Sequence, residues 1–300
     1  MSQDKPFKTI DELVSLLVYD RKIECEDTDE LAKFLKATNY YRFTGYARQF
    51  QRNPEYGDNA FVEGASFADI RKIMELDSQL RKLLFQQLTV IEIGIRAALA
   101  HELGRTHGNK AFYLGESSYL NLNDKRENIV KSLVSDLSRT KAASIAHFAD
   151  EEFNGDDLES RISRYRKVPI WAAVEVVSFG HISNMIEYFA DRDSVKAVAA
   201  SLSLQWDPFG SVVHSLSVLR NMCCHHAQIW HHRLDIQCPV QKKLRPRHVK
   251  YDPAGPYAAI IMANHYRKKI DGDTTIADEI TALLDSSQEF AKGIYFPQPK

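Results

Sequence analysis

The amino-acid sequence predicts an all-α protein, a multi-helix bundle with a small helical N-terminal part. Apolar residues return at helical spacing through most of the 300 residues, and no stretch alternates at strand period for any length. Neither a glycine-rich phosphate loop nor a Gly-x-Ser-x-Gly turn is present, which narrows the chemistry as well as the fold. With 44% hydrophobic residues the chain can bury a substantial core. The expected division is a helical part over residues 1–66 and a larger helical domain over 67–300.

The charges nearly cancel, 39 basic against 40 acidic, so no global field draws the chain onto nucleic acid or an anionic membrane. Any RNA contact must then come from local patches. No apolar run reaches transmembrane length, and the opening MSQDKPFKTIDE lacks the basic-then-apolar order of a signal peptide. The expectation is a cytoplasmic protein without a membrane partner.

Taken in order, Thr9 reads as the N-cap of a first helix carrying Leu13, Leu16 and Leu17. Asp27 with Glu30 resembles a capping box for a second, carrying Leu31, Phe34 and Leu35. The segment NYYRFTGYARQF, residues 39–50, interleaves aromatics with Arg42 and Arg48. It reads as core aromatics with arginines on the rim, although the same composition suits base stacking on single-stranded RNA. Residues 51–66 read as a loop, and 67–104 as one long helix in which Asp77–Arg81 and Glu92–Arg96 are acid-to-base pairs one turn apart.

Residues 105–126 read as a loop, and helices are expected near 127–141 and 142–150. The stretch 151–167 passes from acidic to basic, a solvated surface whose arginines could attract phosphate. Pro169 suits the first turn of the next helix, where Glu175 stands among apolar residues and calls for a partner, and Gly180 marks a bend. Further helices are expected near 194–202, 257–269 and 275–284, before a loose, proline-containing tail.

The most informative stretch is VVHSLSVLRNMCCHHAQIWHHR, residues 212–233. On a helix, Val212, Leu216, Leu219, Cys223, Ala227 and Trp230 form an apolar stripe, while His214, Ser217, Asn221, His225, Gln228 and His232 fall opposite. A solvated face normally carries Lys and Glu. This one carries groups that change charge near neutral pH, with Arg220 leaning over the same surface.

These residue types suit phosphodiester chemistry. Imidazole can move the proton of a ribose hydroxyl or of a leaving oxygen, and a guanidinium can hold a phosphate. Arg220, Asn221, His225 and His226 are therefore the candidate catalytic residues. The bland alternative is a set of partly buried helix histidines. Arg96 and His101 repeat the Arg-to-His spacing, but pairing with Glu92 accounts for Arg96. The following window QKKLRPRHVK supplies candidate RNA-binding residues Lys242, Lys243, Arg245, Arg247 and Lys250, or an ordinary exposed basic loop. Consecutive Cys223, Cys224, His225 and His226 would fan out around a helix, so neither a metal nor another cofactor is expected, and with four cysteines in all no disulfide framework is expected.

NYYRFTGY, IEIGIR, VPIWAAVEVVSFG and RNMCCHHAQIWHHR, in that order, resemble the Abi-like abortive-infection proteins of bacterial phage defence, of the AbiD/AbiF type, over about residues 31–233. That family is placed among the HEPN proteins, so the resemblance implies a HEPN-like helical bundle and a metal-independent endoribonuclease. Its Arg-to-His motif lands on Arg220 and on His225 or His226, with Asn221 following the arginine. The pattern usually continues with an arginine and an asparagine where this chain has Gln228 and His231. HEPN sites commonly pair two motifs, which implies a homodimer. RNA is the implied substrate, and a regulatory RNA or an antitoxin is compatible with the resemblance. The competing readings are a non-catalytic RNA- or nucleotide-binding module in a defence or toxin–antitoxin system, and a helical interaction protein without a nucleic-acid partner.

Overall fold

A computed structural model describes residues 6–120 and 125–298, leaving residues 121–124 of the expected loop and the last two of the tail outside the described residues. The fold is all-α, 65% helical, with fourteen helices and a two-stranded sheet among the described residues. In chain order come α1 (Ile10–Ser15), α2 (Thr28–Thr38), α3 (Tyr40–Ala47), the antiparallel hairpin β1 (Gln51–Asn53) and β2 (Asp58–Phe61), and α4 (Phe67–His107). Then follow α5 (Lys125–Arg139), α6 (Ala143–Phe148), α7 (Leu158–Tyr165), α8 (Ile170–Ala173), α9 (Phe179–Tyr188), α10 (Arg192–Ser201) and α11 (Phe209–Cys224). The chain closes with α12 (Pro256–Ile270), α13 (Thr275–Asp285) and α14 (Gln288–Tyr295).

Helix α4 is the axis. Ser66 caps its first turn by accepting the Asp69 N–H at 3.1 Å, Gly108 ends it, and no proline interrupts its 41 residues. Most of its apolar residues from Ile70 to Leu103 are buried, and the helix packs against α3, α8, α10, α11, α12, α13 and α14. By length and composition α4 could cross a bilayer, contrary to the sequence reading that no run is long enough. Here that apolar surface is the centre of one continuous hydrophobic cluster running from Val14 to Ile294.

At the start of the chain, Thr9 and Glu12 form the reciprocal capping box of α1. Asp27 caps α2 by accepting from the N–H groups of Asp29 and Glu30, while the Glu30 carboxylate pairs with Arg71 rather than closing a box.

Four expectations need correction. The loop expected at 51–66 contains the hairpin β1–β2. The break after α8 comes at Val174–Ser178 rather than at Gly180, because Arg96 takes the Val174 and Val177 carbonyls and Asp136 takes the Ser178 N–H. Glu175 faces solvent from that turn and needs no buried partner. The tail is not loose up to Tyr295, since α14 buries Phe290 and Ile294 in the core.

Candidate functional site

The stretch 212–233 is not one helix. Val212, Leu216, Leu219 and Cys223 are buried as the stripe requires, but α11 stops at Cys224. His226 adopts a φ of +55°, donating to the Cys223 carbonyl at 3.3 Å while Ala227 donates to Met222 at 2.9 Å. That is a Schellman closure with histidine in the left-handed position that glycine normally fills. Ser217, expected on the open face, is buried; Gln228 and His232 belong to the loop beyond the helix.

Tertiary contacts hold this loop. Asp77, fully buried on α4, accepts the backbone N–H groups of Ile229 at 3.3 Å and Trp230 at 3.0 Å, the Tyr46 hydroxyl at 2.5 Å, and the Arg81 guanidinium. Arg81 also donates to the Ala227 carbonyl at 3.3 Å, and Arg42 to that of His226 at 2.8 Å. Burial beside the Asp77 carboxylate pushes the Tyr46 phenol well above its ordinary range, so it remains a donor. Trp230 stacks with both Tyr46 and Phe50.

Gln228 donates to the Trp230 carbonyl at 2.8 Å. His231 is buried, with Nδ1 accepting the Gln298 N–H at 3.1 Å, and burial with the nearby Lys292 charge holds its imidazole down at about 4. Gln228 and His231 therefore fasten the loop.

The polar ridge survives at the end of α11. Arg220 and Asn221 lie in the last turns of α11, and His225 is the residue that caps its end. The Arg220 guanidinium donates to the Asn221 side-chain oxygen at 3.2 Å, and the His225 N–H to the Asn221 carbonyl at 3.0 Å. Asn221, His225 and His226 are exposed, and the Arg220 side chain is 30% exposed. Beneath them the buried Glu92 carboxylate holds Arg220 Nε at 3.0 Å through one oxygen and Arg96 through the other. Two guanidiniums share one carboxylate, so the cluster stays cationic while Arg220 is aimed. Arg96 is spent on Glu92 and two carbonyls, and His101 lies in a separate cleft beside Trp171, so the structure brings these two into no second site.

A second acid–imidazole pair, His181 with Asp136, has no signal in the sequence. Helix α9 runs antiparallel to α11, with Glu187 against Gly210 and Ser183 Oγ 2.9 Å from His214 Nδ1, a register that sets the first turn of α9 beside the middle of α11, about one turn before Arg220. There His181 Nδ1 lies 2.5 Å from Asp136. Burial alone would raise the Asp136 carboxyl, but bonds from the Ser178 N–H and His181 hold it below the usual range. No fixed spacing in sequence links residues 136 and 181.

The basic window lies elsewhere. Arg245 and Lys250 line a cleft with Ser211, in the first turn of α11, nine residues and roughly 13 Å of helix rise from Arg220. Lys243 faces Lys268 and Lys269 on α12. Lys242 and Arg247 are exposed on the same loop. Among the described residues no group of three His, Cys, Asp or Glu side chains is placed to hold a metal, and the four cysteines are free thiols.

The family model described as Abi-like protein matches residues 33–231, about two thirds of the chain. This chain belongs to the Abi-like protein family. The match ends within the histidine loop and supports a role in abortive infection. Neither a curated protein nor a solved structure matches the chain.

Proposed function

We propose that this Abi-like protein is a HEPN-type, metal-independent endoribonuclease acting in anti-phage defence. The observation that supports this most directly is the exposed Arg220–Asn221–His225 ridge, with its arginine aimed from below by a buried carboxylate. His225 would take the proton of a ribose 2′-hydroxyl as that oxygen attacks the adjacent phosphorus, and a proton returned to the departing 5′-oxygen completes the exchange. Arg220 and the Asn221 amide would neutralise the charge gathering on the phosphate oxygens. The products are a 2′,3′-cyclic phosphate and a 5′-hydroxyl.

Action as a homodimer fits the surface beside this ridge. On α4, Phe85, Ile93 and Ala97 are exposed, with Trp171 packed over Gly104 further along, and this apolar strip borders Glu92 and Arg96. A two-fold contact there would set two ridges near one another.

The test is expression of parent, Arg220→Ala and His225→Ala in bacteria, with growth and RNA ends followed, and cleavage in chelator by purified protein. Growth arrest and cyclic-phosphate ends with the parent alone are expected. Cleavage that requires added divalent metal would overturn the mechanism. The structural duties of Gln228 and His231 favour a second reading, an RNA- or nucleotide-binding module without cleavage. Under that reading the parent shifts RNA in a gel yet leaves every end intact.

A further inference from the structure

A cleft of about 900 Å³ opens between α1 and the α2–α3 turn. Its floor is apolar, made by Leu13, Leu16 and Leu35, and its rim carries three aromatics, Phe7, Tyr40 and Tyr41, with three cations, Lys8, Arg21 and Lys36. No acidic side chain lines it among the described residues. Phe7 is 90% and Tyr41 69% exposed, a large aromatic surface for a folded chain to leave in water. The Arg21 guanidinium lies 6.0 Å from the Tyr40 ring centre, and Tyr41 meets Tyr40 edge-on at 5.6 Å.

Asn39 sets this arrangement. It sits at φ +75°, ends α2, and caps α3 by accepting the Tyr41 N–H at 2.9 Å, so both tyrosines leave a turn of fixed shape.

Helix α3 joins the cleft, which it borders at Tyr40 and Tyr41, to the candidate catalytic loop, which it contacts. Arg42, next to Tyr41, grips the His226 carbonyl. Gly45, one turn beyond Tyr41 on the same face, lies against Gln228, whose Oε1 would be 3.2 Å from a Cβ placed there. Tyr41 is thus the cleft residue that shares a face of α3 with a contact to the loop.

Resting on the nuclease reading above, we infer that this cleft holds unpaired bases of the RNA strand, stacked on Tyr41 and Phe7 with their phosphates against Lys8, Arg21 and Lys36, and leads that strand to the His225–His226 loop. Aromatic faces beside cations over an apolar floor match single-stranded nucleic acid, whose bases are free to stack because they are not paired. A duplex would not enter, so the cleft selects unpaired segments.

The test measures anisotropy of a short fluorescein-labelled 2′-O-methyl oligonucleotide with the full chain. That strand lacks the attacking hydroxyl, so binding is read without cleavage. Loss of one stacked base predicts binding about 5- to 100-fold weaker for Tyr41→Ala, while Tyr41→Trp stays close to the parent. Because Tyr41 is exposed, unchanged thermal melting is expected for both variants.

Equal affinity of parent and Tyr41→Ala, in a parent that cleaves RNA, would overturn the cleft while leaving the nuclease reading in place. Weaker binding by Tyr41→Ala in a parent that never cleaves would support the cleft and remove the nuclease. A polypeptide that occupies the cleft and is lost in Tyr41→Ala, with RNA affinity unchanged, would overturn the inference in favour of a protein partner.

Discussion

Acidification should destabilise the fold through one imidazole, His231. The side chain is buried beneath the candidate loop, and its Nδ1 accepts the Gln298 N–H, so protonation would set one N–H against another. Its folded value is about 4 against an ordinary 6.5, burial being the larger cause and Lys292 the smaller. The unfolded chain therefore binds a proton between those values and the folded chain does not. Stability from this group is complete above pH 6.5 and drains away as pH falls toward 4. Integrating that difference gives a loss of about 2 kcal/mol between pH 7 and 5, and about 3 kcal/mol by pH 4. Urea unfolding of parent and His231→Asn across this range measures it. Asparagine keeps an acceptor and tolerates the residue's φ of +55°. The variant should show a pH dependence shallower by those amounts. Identical pH dependence in the two proteins would refute the claim that the fold holds this imidazole neutral.

Four other outcomes are expected. Asp77→Asn leaves the Arg81 charge unbalanced and the Ile229 and Trp230 N–H groups poorly matched, at a cost of about 3–5 kcal/mol in urea unfolding; a loss below about 1 kcal/mol would mean the loop is fastened elsewhere. Glu92→Gln removes the charge that aims Arg220 and should slow RNA cleavage on the order of 100-fold, read as initial rates. An unchanged rate would sink the positioning role of this carboxylate. Gly293→Ala drives a methyl into the Trp230 indole and should cost about 1–3 kcal/mol, seen as a lower melting temperature. Ile93→Lys places a charge on the exposed α4 strip and should shift the protein to monomer in sedimentation, with cleavage lost and melting unchanged; a dimer that persists would place its seam elsewhere.

The long helix was legible because its signal is local, an apolar spacing unbroken by proline from Phe67 onward. The Glu92–Arg96 pair was legible for the same reason, one turn apart on one helix. That Glu92 also holds Arg220 was not, because the two residues meet only where α4 and α11 pack. Within the candidate site, the Arg220–Asn221–His225 ridge follows from helical spacing, whereas the distance of the basic window from that ridge follows from the path of the chain around α12.

By itself the sequence determined that this chain is mainly helical and that α4 is its long element, and it named the candidates for phosphodiester chemistry. Tertiary structure decided where the histidine helix ends. A string without glycine or proline carries no stop signal of its own, and residues 223–231 could extend a helix by propensity alone. They turn instead because a carboxylate and two guanidiniums, brought by α3 and α4, satisfy the loop's backbone groups in place of helical hydrogen bonds. Burial then keeps one of the loop's histidines, His231, neutral and leaves His225 and His226 facing water.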